Sequence, residues 1–240
     1  MLKKKAAQEL TVANKQVRLE RCRQLLRKYP PHAVHFIWFS DEKLFTVAAP
    51  SNLQNDRVYV LSSVKKKDVD AARLLRTRPA FCKSLMVSVA VSSLGAKQVH
   101  FLEPGVNGDY YQNTVLLNML LLDIRSVFGD YYVFQQDGAP AHRARDTVTM
   151  LQREMPEFIP PEMWPPNLPD LNPVDYSIWV MLLERVYPLS RIHDVKKFKE
   201  RLLREWRLLD HTVIVAAIAQ WHSRLNACVR MNGGHFEHKF

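Results

Sequence analysis

The spacing of apolar and polar residues divides the chain into recognisable elements. Residues 11–29, TVANKQVRLERCRQLLRKY, put Ala13, Val17, Cys22, Leu25, Leu26 and Tyr29 on one rough stripe, which predicts a basic helix. Pro30 and Pro31 end it. AVHFIWFSDEKLFTV (33–47) reads as two strands about a polar Ser-Asp-Glu-Lys break. SLMVSVAVSS (84–93) and KQVHFLE (97–103) read as a hairpin turning near Gly95, and YYVFQQ as a further strand. Helical patterns cover 109–124 and 139–154, the latter entered through Pro140. A Pro-rich stretch leads to three more, at about 174–187, 194–208 and 212–230. The expectation is an α/β (α+β) fold, a mixed sheet with helices packed on both faces.

Residues 49–80 interrupt this order. They are polar and basic, and too long for an ordinary connection inside a compact domain. Charge sharpens the point. The chain carries +10 overall; residues 1–30 contribute +7 and residues 56–83 contribute +5, which leaves −2 for everything else. Two basic segments around a nearly neutral body suit a polyanion gripped outside the core. Lys65, Lys66, Lys67 and Arg73 are the candidate contacts in the second segment. His142, Arg143 and Arg145, in HRAR just after Asp137, are the others.

Several classes are disfavoured. No apolar run approaches the roughly 20 residues of a membrane helix, so no membrane partner is expected. Cys22, Cys82 and Cys228 are too scattered for a zinc cluster or a disulfide framework, which fits a reducing compartment. There is no GxSxG and no P-loop.

Three acids stand out by placement. Asp41 follows VHFIWFS and Asp137 follows YYVFQQ, each at the end of a strand pattern. Asp175 lies in LNPVDYSIW, where Asn172 can cap a helix and Pro173 suits its first position. Each acid alone has an ordinary explanation as a turn or first-turn residue. Together they would suit a two-metal phosphoryl-transfer site, in which hard oxygen ligands hold two Mg²⁺ about 4 Å apart. Spacing alone does not bring them together.

Four blocks then carry a resemblance. WFSDEKLF, QQDGAPAHRA, WPPNLPDLNPVDYSIW and NGGHFEH occur in the order, and at the approximate intervals, of the catalytic domain of mariner-like transposases. Between the acids lie 95 and 37 residues, and the last acid is Asp, as in the mariner branch. The resemblance implies a ribonuclease-H-like fold, with the first acid on strand one, the second just after strand four and the third on a following helix. It implies that Asp41, Asp137 and Asp175 are both catalytic residues and ligands of two Mg²⁺ or Mn²⁺ ions. The activity implied is cut-and-paste DNA transposition: strand cleavage at element ends, then transfer of the 3′-hydroxyl to a TA target. Double-stranded DNA is the implied partner, with a homodimer in the DNA complex, and the implied location is the nucleus; read from the residues, the KKK runs at 3–5 and 65–67 are too short to be more than weak address signals.

Domain expectations follow. Residues 1–30 match the linker after a pair of helix-turn-helix units, and those units are expected to be absent. Residues 31–240 match the catalytic domain, with 49–80 in the position of a clamp-like insertion. The alternative is a truncated or co-opted, non-catalytic DNA- or protein-binding derivative of the same fold.

Overall fold

The computed structural model describes residues 9–47, 58–74, 83–96, 99–102, 107–129, 131–166, 169–187 and 194–236. Much of the basic insertion, Cys82 and the last part of the C-terminal block lie outside the described residues.

Helix α1 (Val12–Lys28) is capped by Thr11, whose hydroxyl accepts the N–H of Asn14. Its buried face is Arg18, Leu19, Cys22 and Leu25, so the stripe turns slightly from the expected one and leaves Ala13 exposed. After a 3₁₀ segment (Pro31–Phe36), strand β1 runs unbroken from Ile37 to Thr46. This corrects the reading of two strands: Ser-Asp-Glu-Lys is part of one strand, paired antiparallel with β2 (Ser84–Ser92) from Phe39 to Thr46. The continuous pairing with β2 overrides the local polarity. The two-residue β3 (Gly95–Ala96) and β4 (His100–Leu102) both pair with β2, which gives the expected turn near Gly95.

A continuous helix α2 (108–128) follows. It opens with Asn107 accepting the N–H of Tyr110 and is π-helical from Tyr111 to Leu120. The chain then enters β5 (Val133–Gln135), which pairs parallel with β1. Helix α3 (Arg145–Glu154) starts six residues later than the pattern suggested, because Ala139–Ala144 form a tight turn region instead. The Pro-rich stretch holds a short strand, β6 (Glu157–Phe158), parallel to β5. Helix α4 (174–186) begins as a π turn, Val174–Ile178, and continues as Trp179–Val186. The last helices are α5 (Val195–Arg207), α6 (His211–Ala219) and α7 (Trp221–Arg230). One helix had been expected where α6 and α7 stand; they part at Gln220.

Among the described residues the sheet has six strands, in the order β3-β2-β1-β5-β6 with β4 beside β2. Both faces are covered. Ile37, Phe39, Val89, Val91 and Val133 join the core under α1, α4, α5, α6 and α7. Trp38, Ala90 and Phe134 join a second core under α2 and α3. This is why β1 reads as a nearly solid apolar run up to its acids.

The two ends of the described chain are clasped. Cys22 of α1 and Cys228 of α7 are buried side by side as free thiols. Beyond α7 the chain turns through Asn232 and Gly233, both at positive φ. A Cβ at Gly233 would lie 1.9 Å from the carbonyl oxygen of Lys15. Gly233→Ala is therefore expected to cost about 2–5 kcal/mol, from the left-handed backbone and the overlap together. Urea unfolding would read this as a lowered midpoint; a midpoint unchanged from the parent chain would contradict the clasp.

Candidate active site

The parallel pairing of β1 with β5 sets Phe39 opposite Gln135, so both strands deliver their following residues to the same edge of the sheet. Asp41 lies two residues further along β1, still within the strand, and Asp137 lies two residues beyond the end of β5. The third acid comes from α4. Asn172 fixes that helix to the sheet: its amide donates to the carbonyl of Ser40 at 2.9 Å, and its Oδ1 accepts the N–H of Val174. Asp175 thus sits in the first turn of a helix anchored one residue from Asp41. Asp41, Asp137 and Asp175 all interact electrostatically at this edge.

Burial controls the charges. Asp41 is 6% exposed, and burial first, then Asp175 and Glu42, drive its carboxyl well above the usual range, despite the indole N–H of Trp179 donating to Oδ2. Burial also pushes Asp175 up to about 6, against the opposing pull of Lys43. Asp137 behaves differently. Burial would raise it, but His142 and the backbone N–H of Ala139 more than reverse this, and its carboxyl is held below the usual range. A site in which one acid is ionised and two resist ionisation is short of positive charge.

Asp41 and Glu42, adjacent on a strand, face opposite sides of the sheet. Glu42 therefore points toward α2, where its Oε1 accepts from the Ser88 hydroxyl at 2.8 Å and its Oε2 lies 3.2 Å from His142 Nε2. The other ring nitrogen of His142, Nδ1, approaches Asp137 Oδ1 at 2.5 Å, an ionic contact and not an aligned hydrogen bond. Burial opposes charge on the ring, but Glu42 and Asp137 outweigh it and push His142 up to about 10. The imidazolium stacks on Tyr111 with ring centres 4.2 Å apart.

His142 is thus not the surface contact the sequence suggested. It is buried against the acids with both ring nitrogens engaged, and it has no face left for a phosphate. Arg143 and Arg145, on either side of the entry to α3, are exposed. So are Lys65, Lys66 and Lys67, in a short 3₁₀ turn (Lys66–Asp68), and Arg73, which donates to the carbonyl of Tyr59. Sequence reasoning missed Glu42, Lys43 and Trp179. Splitting β1 at Ser-Asp-Glu-Lys hid the alternation that would have set Glu42 across the sheet from Asp41.

The three aspartate carboxylates match the hard oxygen donors that Mg²⁺ and Mn²⁺ prefer. Among the described residues, no three His, Cys, Asp or Glu side chains are already spaced around a common ion position. The carboxylates turn instead to donors of the protein. The fit to a cation rests on the crowding of acids and on Asp137, whose described contacts both fall on Oδ1, leaving Oδ2 for a ligand. No helix among the described residues is long and apolar enough to cross a membrane.

No family model matches the chain. It is 24% identical over 196 residues to the Tc3 transposase of Caenorhabditis elegans, covering 81% of this chain and 56% of that protein. It is 28% identical over 123 residues to the Tc1 transposase of the same organism, covering 51% and 43%. The chain spans about half the length of these relatives. In fold it matches a pre-cleavage Mos1 transpososome, with a TM-score of 0.83 and 23% identity over 99% of this chain and 68% of that one. The catalytic domain of the Mos1 mariner transposase alone matches with a TM-score of 0.73 and 23% identity, covering 97% and 100%. The fold is therefore that of the mariner catalytic domain, ribonuclease-H-like, and the resemblance read from the four sequence blocks extends to Tc1-type transposases.

Proposed function

We propose that this chain is the catalytic domain of a mariner/Tc1-like cut-and-paste DNA transposase. It cleaves DNA strands at element ends and joins the freed 3′-hydroxyl to target DNA. The observation that carries this reading is the meeting of Asp41, Asp137 and Asp175 at one sheet edge, with Asp137 Oδ2 uncommitted. In support, the fold matches Mos1 structures that were solved with transposon-end DNA, with Mn and with Mg.

The three aspartates are the residues that would hold a pair of Mg²⁺ or Mn²⁺ ions. The ions would supply charge stabilisation at phosphorus and an activated oxygen nucleophile. The protein's own part is positional. Trp179 and Asn172 tie Asp41 and the start of α4 to the same part of β1, so the acids stay in place while a scissile phosphate is bound. Arg143 and Arg145 lie where the loop that carries Asp137 enters α3, and Lys65–Lys67 and Arg73 extend the basic surface for duplex DNA. On this reading the DNA complex is a homodimer, the target is a TA dinucleotide and the place of work is the nucleus.

A supercoiled-plasmid nicking assay with Mg²⁺, Mn²⁺ or EDTA tests the reading. Nicking with either ion and none with EDTA is the expected result. A folded chain that nicks under no condition and binds neither ion is instead the non-catalytic derivative.

A further inference from the structure

His142 lies in the short loop between Asp137 and α3, yet it is 5% exposed and fixed from every side. Its ring spans Asp137 and Glu42 and stacks on Tyr111. Its carbonyl accepts from Gln136 Nε2 at 3.0 Å, and Gln136 in turn accepts the Tyr111 hydroxyl at 2.7 Å. Glu42 is itself held by Ser88 at 2.8 Å. The chain Ser88–Glu42–His142–Asp137 therefore runs from the floor of one sheet face to an acid at the sheet edge.

Both anchors on Asp137 meet the same oxygen. Oδ1 takes the N–H of Ala139 at 2.9 Å and the contact from His142, while Oδ2 has no donor among the described residues. An unpinned carboxylate would rotate and offer either oxygen; one pinned at Oδ1 presents Oδ2 in a fixed direction.

We infer that His142 is a positioning residue for the divalent-cation site, braced by Glu42, which aligns Asp137 so that Oδ2 is the oxygen offered to the ion. The inference rests on the metal-site reading above. It assigns the HRA histidine to the alignment of an acid, acting through Asp137 and never on the substrate.

Calorimetric titration of Mn²⁺ into the whole chain tests it, with thermal unfolding recorded for every variant. His142→Ala is expected to weaken Mn²⁺ binding about 10–100-fold, the usual effect of losing a partner that orients a ligand. An asparagine amide can stand where Nδ1 stands, and a glutamine amide where Nε2 stands. His142→Asn should therefore retain much of the affinity, whereas His142→Gln should fall with His142→Ala. Glu42→Gln should weaken binding several-fold in the parent chain and little further in His142→Ala. If affinity follows the variants' thermal stability and not the donor facing Asp137, the inference is wrong. If His142→Ala and Glu42→Gln bind Mn²⁺ like the parent while Asp137→Asn does not, the inference is wrong and the metal site stands. Should His142→Ala not fold, the isosteric Glu42→Gln decides alone. A parent chain that binds no Mn²⁺ removes the metal reading and this inference together.

Discussion

Asp137→Asn abolishes metal-dependent nicking and leaves DNA binding intact or tighter. The substitution keeps the shape and the backbone contact, because the amide oxygen still accepts from Ala139. What disappears is the ionised carboxylate, the one acid of the three held below the usual range and so fully charged at neutral pH. Loss of several kcal/mol of charge stabilisation corresponds to at least about a 10³-fold drop in rate. Binding should not suffer, since one negative charge is removed from a surface that meets phosphates. Nicking rates and filter-binding isotherms at two salt concentrations read both halves. A variant that nicks within tenfold of the parent would contradict the role of Asp137.

Asp41→Asn has the second large effect, and its two halves have opposite signs. With Mg²⁺ or Mn²⁺ present, activity is lost. In EDTA the variant is more stable than its parent, by on the order of 1–3 kcal/mol. The reason is that Asp41 is buried beside Asp175, Glu42 and Asp137, so its charge is costly until a cation arrives. The linkage has a definite direction. A carboxyl raised in the folded state stabilises the fold below its unfolded pKa, and that contribution is lost as pH rises through the folded value. For Asp175 the window runs from about 4, the ordinary carboxylate value, to the folded value of about 6. The metal-free parent should therefore be more stable at pH 5 than at pH 7, with the difference smaller in Asp41→Asn. Differential scanning calorimetry in EDTA and in Mn²⁺ measures this. A metal-free Asp41→Asn chain less stable than the parent would show that the acids are not in conflict.

The strands and helices that bury apolar residues at regular intervals were legible in the sequence, and the four blocks named the fold. Asn172 and Pro173 at the start of α4 were readable as capping residues because that chemistry is local. What could not be read lies in long-range pairing. Ser40 to Lys43 look like a break until β2 is set beside them; then the same residues are the middle of a strand. His142 looked like a surface base because its neighbours Arg143 and Arg145 are basic. Its burial depends on Glu42, 100 positions earlier, and on Tyr111 of α2, and no local window contains them. Trp179 reads as a core residue, and it is one; only the fold reveals that its N–H meets Asp41.

The clasp between α1 and the end of α7 has a kinetic side. Arg18 reaches the carbonyl of Gly234, 216 residues away along the chain. At the usual pace of synthesis, about 5–20 residues per second, that separation amounts to roughly 10–40 s. Once made, α1 has to wait that long, with Leu25 and Cys22 uncovered, before α7 is made. Contacts so remote in sequence also slow refolding, because closing the intervening loop comes before any reward. The sheet and α2 are complete well before α7 appears, so the acids from β1 and β5 can be set before α1 docks. Helix α1, made before the sheet, is thus among the last of these elements to find its place.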